Sequence, residues 1–220
     1  NEFWAGRDYI NDMEPMKAAL LMAHGFNDWN VMPEHSYRIY NVAREKGIPS
    51  KIFYHQNGHG GPPPITMMNR WFTRYLHGIE NGVENDAKAW IVRENDDKQN
   101  PTAYKDYPNP DASIVTLHLN PGAPKTGMLT TSKVNRYGNE TLVDDVSIDG
   151  SSLAKAPESN HRLLFLTPQF SEDVHISGIA KVAITLSSSK PAANLSVWLV
   201  SLPWNDEKDA KITDNIITRE

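Results

Sequence analysis

From Ser113 onward the sequence carries no helical period. Its apolar, β-branched runs (Ser113–Leu119, Leu142–Ile148, Arg162–Thr167, Val174–Leu186 and Asn194–Leu202) are separated by clusters of Gly, Pro, Asn and Asp. Strand side chains alternate between two faces, so runs of this kind bury themselves only by stacking one β layer on another. The expected architecture for 111–220 is a jelly-roll β-sandwich. Residues 1–90 have another texture, with six of the seven Met and five of the eight His. The break falls in Glu94–Pro110, which is polar, rich in Pro and Asn, and reads as a linker or long loop. The fold class expected for the whole chain is therefore α/β followed by all-β.

The first part alternates strand and helix. Lys17–Ala23 is a short apolar run that suits a buried strand, and a turn composition, His24 to Asp28, follows it. Pro33 and Glu34 suit the first turn of a helix that places Tyr37, Ile39, Tyr40, Val42 and Ala43 near one face and stops at Gly47. A second strand is expected over Lys51–His55. The stretch Gln56–Pro64 excludes helix and strand interior. Met68, Trp71, Phe72, Tyr75, Leu76 and Ile79 then recur at helical spacing. Strand, helix, strand, helix makes a βαβ unit with a parallel pair.

In open α/β sheets, functional residues gather in the loops after the carboxyl ends of the strands. Two such loops are visible. One presents Asp28 and the other His59. An acid and an imidazole at neighbouring strand ends form the orienting half of a Ser-His-Asp triad, in which the acid fixes the tautomer and stabilises the imidazolium. Asp28 before His59 fits the chain order of the last two triad members in α/β-hydrolases. Each residue also has an ordinary reading, Asp28 as a turn-stabilising aspartate and His59 as a solvated loop histidine. Asn57 and Gly58 break any helix that would join His55 and His59 in a zinc pair, so no metal is expected. Trp29 and Trp71 read as core or pocket wall. The phrase LLMAHG also suits the early hydrolase strand whose following loop supplies an oxyanion-hole amide. That assignment requires a G-x-S-x-G elbow further on, and the single Gly-Ser step, Gly150-Ser151, lacks the second glycine. The serine is expected upstream of Asn1.

At this point the residues resemble a known family. His24–Val31 (HGFNDWNV), the helix beginning at Pro33, Tyr54–Gly60 (YHQNGHG), Tyr104–Tyr107 and Ile212–Arg219 (ITDNIITR) are similar to Xaa-Pro dipeptidyl-peptidases of the S15 serine peptidase family. The wider family includes cocaine esterase and glutaryl-acylase-like esterases. The resemblance implies release of an N-terminal dipeptide with proline as its second residue, through a serine ester. It implies Asp28 as triad acid and His59 as general base. It places Asn30 at the amino end of the peptide and Val31 against the proline ring, with no cofactor. It implies that residues 1–93 are the C-terminal part of an α/β-hydrolase catalytic domain, 94–110 the linker, and 111–220 a jelly roll that continues past Glu220. A chain cut in this way is expected to be inactive alone and to expose a strand edge through which a homodimer could form. The competing expectations are an ester or acyl-amide hydrolase of the same family and a jelly-roll binding module.

Composition bounds the partners. The net charge of −5 speaks against nucleic acid, which selects a basic stripe. No apolar run approaches the ~18 residues of a membrane span. The chain has no Cys, which excludes a thiol nucleophile and thiolate metal sites and fits a cytoplasmic location.

Overall fold

The computed structural model describes residues 2–94, 96–133, 138–211 and 214–219. Ile212 and Thr213 of the Ile212–Arg219 phrase lie outside them. In chain order the elements are α1 (Glu2–Ala5), a 3-10 turn (Tyr9–Met13), β1 (Leu20–Gly25), α2 (Pro33–Glu45), β2 (Ser50–His55), α3 (Ile65–Tyr75), a second 3-10 turn (Val83–Asn85), β3 (Ala89–Ile91), β4 (Thr102–Tyr104), β5 (His118–Asn120), β6 (Gly127–Thr130), α4 (Gly150–Lys155), β7 (Phe165–Leu166), β8 (Trp198–Val200) and β9 (Ile216–Arg219). They divide between two compact units. One comprises 1–110, 177–202 and 215–220, the other 111–176 and 203–214.

The first unit carries a four-stranded sheet in the order β1-β2-β3-β4. β1, β2 and β3 are parallel, and β4 runs antiparallel to β3. Pro33 starts α2, which needs no N–H at its first position, and Arg44 sits in its last turn, where a cation complements the helix dipole. Gly47 beyond its end has a φ of 70°, the left-handed conformation that glycine adopts without penalty. α2 packs on β1 and β2 through Tyr40 and Ala43, both fully buried. Tyr40, Ile52, Tyr54, Ala89, Ile91 and Tyr107 form the core, flanked by Met22, Phe26, Tyr37 and Tyr104. The Tyr40 hydroxyl meets the rule that a buried polar group needs a partner by donating to Asp106 Oδ1 at 2.7 Å.

β2 is buried from Lys51 to His55. Lys51 is 2% exposed, and its ammonium donates to Asp86 Oδ2 at 3.1 Å and lies 5.7 Å from the ring centres of both Trp71 and Trp90. Burial pushes its pKa down, and Asp86 opposes that shift. α3 is shorter than the apolar spacing suggested. It stops at Tyr75 and buries Trp71, while Phe72, Leu76 and Ile79 stay exposed. Part of the Glu94–Pro110 segment joins the sheet and its core. It supplies β4 through the pairing of Ala89 with Tyr104, and Tyr107 enters the core. A single antiparallel partner and one buried aromatic suffice for that, and neither leaves a period in the sequence. β8 and β9 pair antiparallel, also in this unit.

In the second unit, β5, β6 and β7 form a three-stranded sheet, antiparallel then parallel. Asp149 caps α4 by accepting from the Ser151 and Ser152 N–H groups. The Arg162 guanidinium donates to the carbonyls of Leu153, Ala123, Lys125 and Ala156, tying that helix to the loop before β6. Strands are shorter than the five expected runs. No strand forms over 142–148 or 174–186. Val182, Ile184 and Leu186 keep the alternation of a strand but are about half exposed. Alternation specifies a face; a ladder also needs a neighbouring backbone at the right register, which a one-strand pattern does not encode.

Candidate active site

The site grows out of the parallel pairing of β1 and β2. Gly25 stands opposite His55, so the loops that follow both strands leave the sheet side by side. They are stitched together. The Phe26 N–H donates to His55 O at 2.8 Å, the Asn27 N–H to Asn57 O at 3.3 Å, and Asn27 Nδ2 to Gln56 O at 2.8 Å. A Cβ at Gly25 would overlap the Asn57 and Gly58 carbonyl oxygens, so only glycine permits this approach.

Asp28 and His59 are brought together. His59 Nδ1 donates to Asp28 Oδ2 at 2.8 Å. The acid side chain is 3% exposed and the imidazole 65%. Oδ1 of the same carboxylate accepts from the main-chain N–H groups of Asn30 at 2.9 Å and Val31 at 3.1 Å. Burial alone would raise the Asp28 pKa. The Val31 N–H, the His59 ring and the Asn30 N–H outweigh it and bring the group down to about 2. The carboxylate is thus ionised throughout the physiological range. A donor fixed at Nδ1 leaves His59 Nε2 as the proton-accepting nitrogen, the arrangement a general base requires.

Asn30 and Val31 meet the acid through their backbones, and their side chains are exposed. His55 and His59 have different surroundings. His55 is 1% exposed, and its Nδ1 accepts from the Asn57 N–H at 3.1 Å. Burial lowers its pKa, and Lys98 adds to that. Gly61, at a φ of 117°, leaves room for it, since a Cβ there would come within 2.6 Å of Nε2. Among the described residues, no group of three His, Asp or Glu could hold a metal ion, and no helix is long and apolar enough to cross a membrane.

A further residue stands beside the acid. The sequence places His24 in a turn, but β1 runs on to Gly25 and the His24 ring is 9% exposed next to Asp28. His24 Nε2 lies 3.1 Å from Asp28 Oδ2 and 2.8 Å from Val31 O, and Nδ1 is bonded to Ser36 Oγ on α2. The four-residue interval from His24 to Asp28 was the available signal.

Residues 1–61 match the family described as X-Pro dipeptidyl-peptidase (S15 family), and residues 81–219 match the X-Pro dipeptidyl-peptidase C-terminal non-catalytic domain. A protein of Rhodopirellula baltica named "Putative Xaa-Pro dipeptidyl-peptidase" is 56% identical, covering 100% of this chain and 35% of its own length. A Bacillus anthracis protein of the same name is 32% identical over 98% of the chain and 38% of its own length. The chain thus spans little more than a third of these curated relatives. A CocE/NonD family hydrolase from Staphylococcus aureus covers 62% of the chain and 24% of its own at 17% identity, with a TM-score of 0.49, below the level that establishes a common fold. The non-catalytic domain match alone spans more than half of the sequence, and the chain belongs to the X-Pro dipeptidyl-peptidase (S15) family.

Proposed function

We propose that this chain is the C-terminal part of a serine peptidase that releases N-terminal Xaa-Pro dipeptides by acyl transfer. The observation that carries the reading is the 2.8 Å bond between a buried, ionised Asp28 and an outward-facing His59 at the ends of adjacent parallel strands. Family membership supplies the substrate class. His59 Nε2 takes the proton from a serine hydroxyl as that oxygen attacks the prolyl carbonyl. Asp28 stabilises the imidazolium, and the same proton then leaves with the departing amine. Water repeats the cycle on the acyl-serine. The serine is supplied by residues outside this chain, so the 220 residues alone are inactive. Asn30 receives the amino end of the peptide and Val31 lies against the proline ring.

The same proposal divides the chain into hydrolase residues 1–93, a connection at 94–110 and a jelly roll at 111–220, in a cytoplasmic enzyme. Two copies pair through an open strand edge; sedimentation as a clean monomer at high concentration would remove that part.

The test uses the full-length protein and a chromogenic Ala-Pro amide. His59→Ala is expected to lower kcat by ~10⁴. Near-normal turnover of that variant, or hydrolysis of the amide by the 220 residues alone, refutes the reading. Preference for aryl esters over Ala-Pro amides would move the enzyme to the esterase branch.

A further inference from the structure

We propose that His24 is a positioning residue for the Asp28–His59 couple, holding the carboxylate by a second imidazole N–H in the orientation that receives the His59 N–H. The inference rests on the reading of that couple as catalytic.

The proton position follows from the partners. His24 Nε2 faces two oxygens, Asp28 Oδ2 at 3.1 Å and Val31 O at 2.8 Å. A carboxylate and a carbonyl can only accept, so Nε2 must carry the hydrogen. Nδ1 faces the Ser36 hydroxyl, which can donate to it. A neutral Nε2–H ring therefore satisfies every contact. Ser36 is itself buried, at 4% exposure, in the first turns of α2. Helix, strand and loop are joined in one line, from Ser36 Oγ through His24 to Asp28 and His59.

Two consequences follow. First, the carboxylate has four donors, two on each oxygen: Asn30 and Val31 N–H on Oδ1, His24 and His59 on Oδ2. His59 is 65% exposed on a glycine-bounded loop, so it cannot by itself hold the plane of the carboxylate. His24, on a strand and 9% exposed, can. Second, the two imidazoles share Oδ2. Fixing that oxygen through His24 therefore fixes where the His59 N–H is received. Burial holds down the pKa of the neighbouring imidazole, His55, and Lys98 and His24 each add to that.

The experiment compares wild type with His24→Phe, which keeps a ring but removes the donor, and with His24→Gln, whose amide can replace Nε2–H. The first readout is the NMR signal of the hydrogen-bonded His59 N–H in this chain. His24→Phe is expected to broaden or lose it, and His24→Gln to restore it. The second is turnover of the full-length enzyme, with kcat lower by ~10- to 100-fold and KM little changed in the Phe variant, and rescued by Gln. A structural role would lower stability in both variants without separating them in the signal or in kcat. A folded Phe variant that keeps the wild-type signal, or a Gln variant that behaves like Phe, overturns the proposal. Should the Phe variant not fold, a folded Gln variant decides alone: retention of the hydrogen-bonded His59 N–H signal upholds the proposal and its loss overturns it. The N–H signal needs no turnover. A full-length protein that ignores Xaa-Pro amides would therefore sink the peptidase reading while leaving the coupling measured.

Discussion

Asp28→Asn tests the electrostatics of the site without any assay of turnover. The acid titrates at about 2 in the folded chain against an ordinary 3.8. At 1.36 kcal/mol per pKa unit, that difference corresponds to about 2 kcal/mol of folding stability. The sign is set by the direction of the shift. A depressed carboxylate stabilises the fold above the unfolded value near 4, and the contribution fades as pH falls toward 2. The asparagine has no such dependence. Its amide also turns N–H toward the His24 and His59 donors, and that cost is the same at every pH. The useful quantity is therefore the wild-type minus variant stability at pH 5 less that at pH 2. Asp106, also held below the ordinary range, is present in both proteins and cancels. Urea unfolding followed by the NMR intensities of β1 and β2 amides measures this sheet directly. The gap is expected to shrink by about 2 kcal/mol on acidification. A gap constant to within about 0.5 kcal/mol would refute the assignment of a stabilised, ionised Asp28.

Two further perturbations probe the scaffold. Lys51→Met keeps an aliphatic chain between Trp71 and Trp90 and leaves Asp86 bonded to Arg70 at 2.7 Å, so stability should stay within about 1 kcal/mol; Asp86→Ala strands a buried ammonium and should cost about 3–5 kcal/mol, and urea midpoints in the reverse order would contradict this. Gly25→Ala places a methyl on the Asn57 and Gly58 carbonyls, so about 1–3 kcal/mol should be lost together with the hydrogen-bonded His59 N–H signal; a variant with both intact would show that the loop has slack.

Much of the first unit could be read from residue order because its signals are local. Pro33 and Gly47 bracket α2, and the short apolar runs became β1 and β2. Asp28 and His59 were visible because each sits in a loop directly after a strand. What escaped depends on distant partners. β4 needed β3 beside it, and the stretch 177–202 joins the unit built around residues 1–110, an association over a long interval of chain. His24 escaped for a subtler reason. Its contacts run to Ser36, Asp28 and Val31 at once, and a single strand residue gives no sign of which neighbours a loop and a helix will bring to it.

The clamp on Oδ1 is made of main-chain N–H groups, which every residue except proline supplies. The acid is thereby insulated from the chemistry of the side chains at 30 and 31. A lineage could exchange the Asn30 and Val31 side chains while the carboxylate stays where it is. Under the proposed function, reaction and selectivity would then occupy adjacent residues yet be free to evolve separately. Only a proline at either position would couple the two, because it would remove a donor from the acid as it changed the side chain.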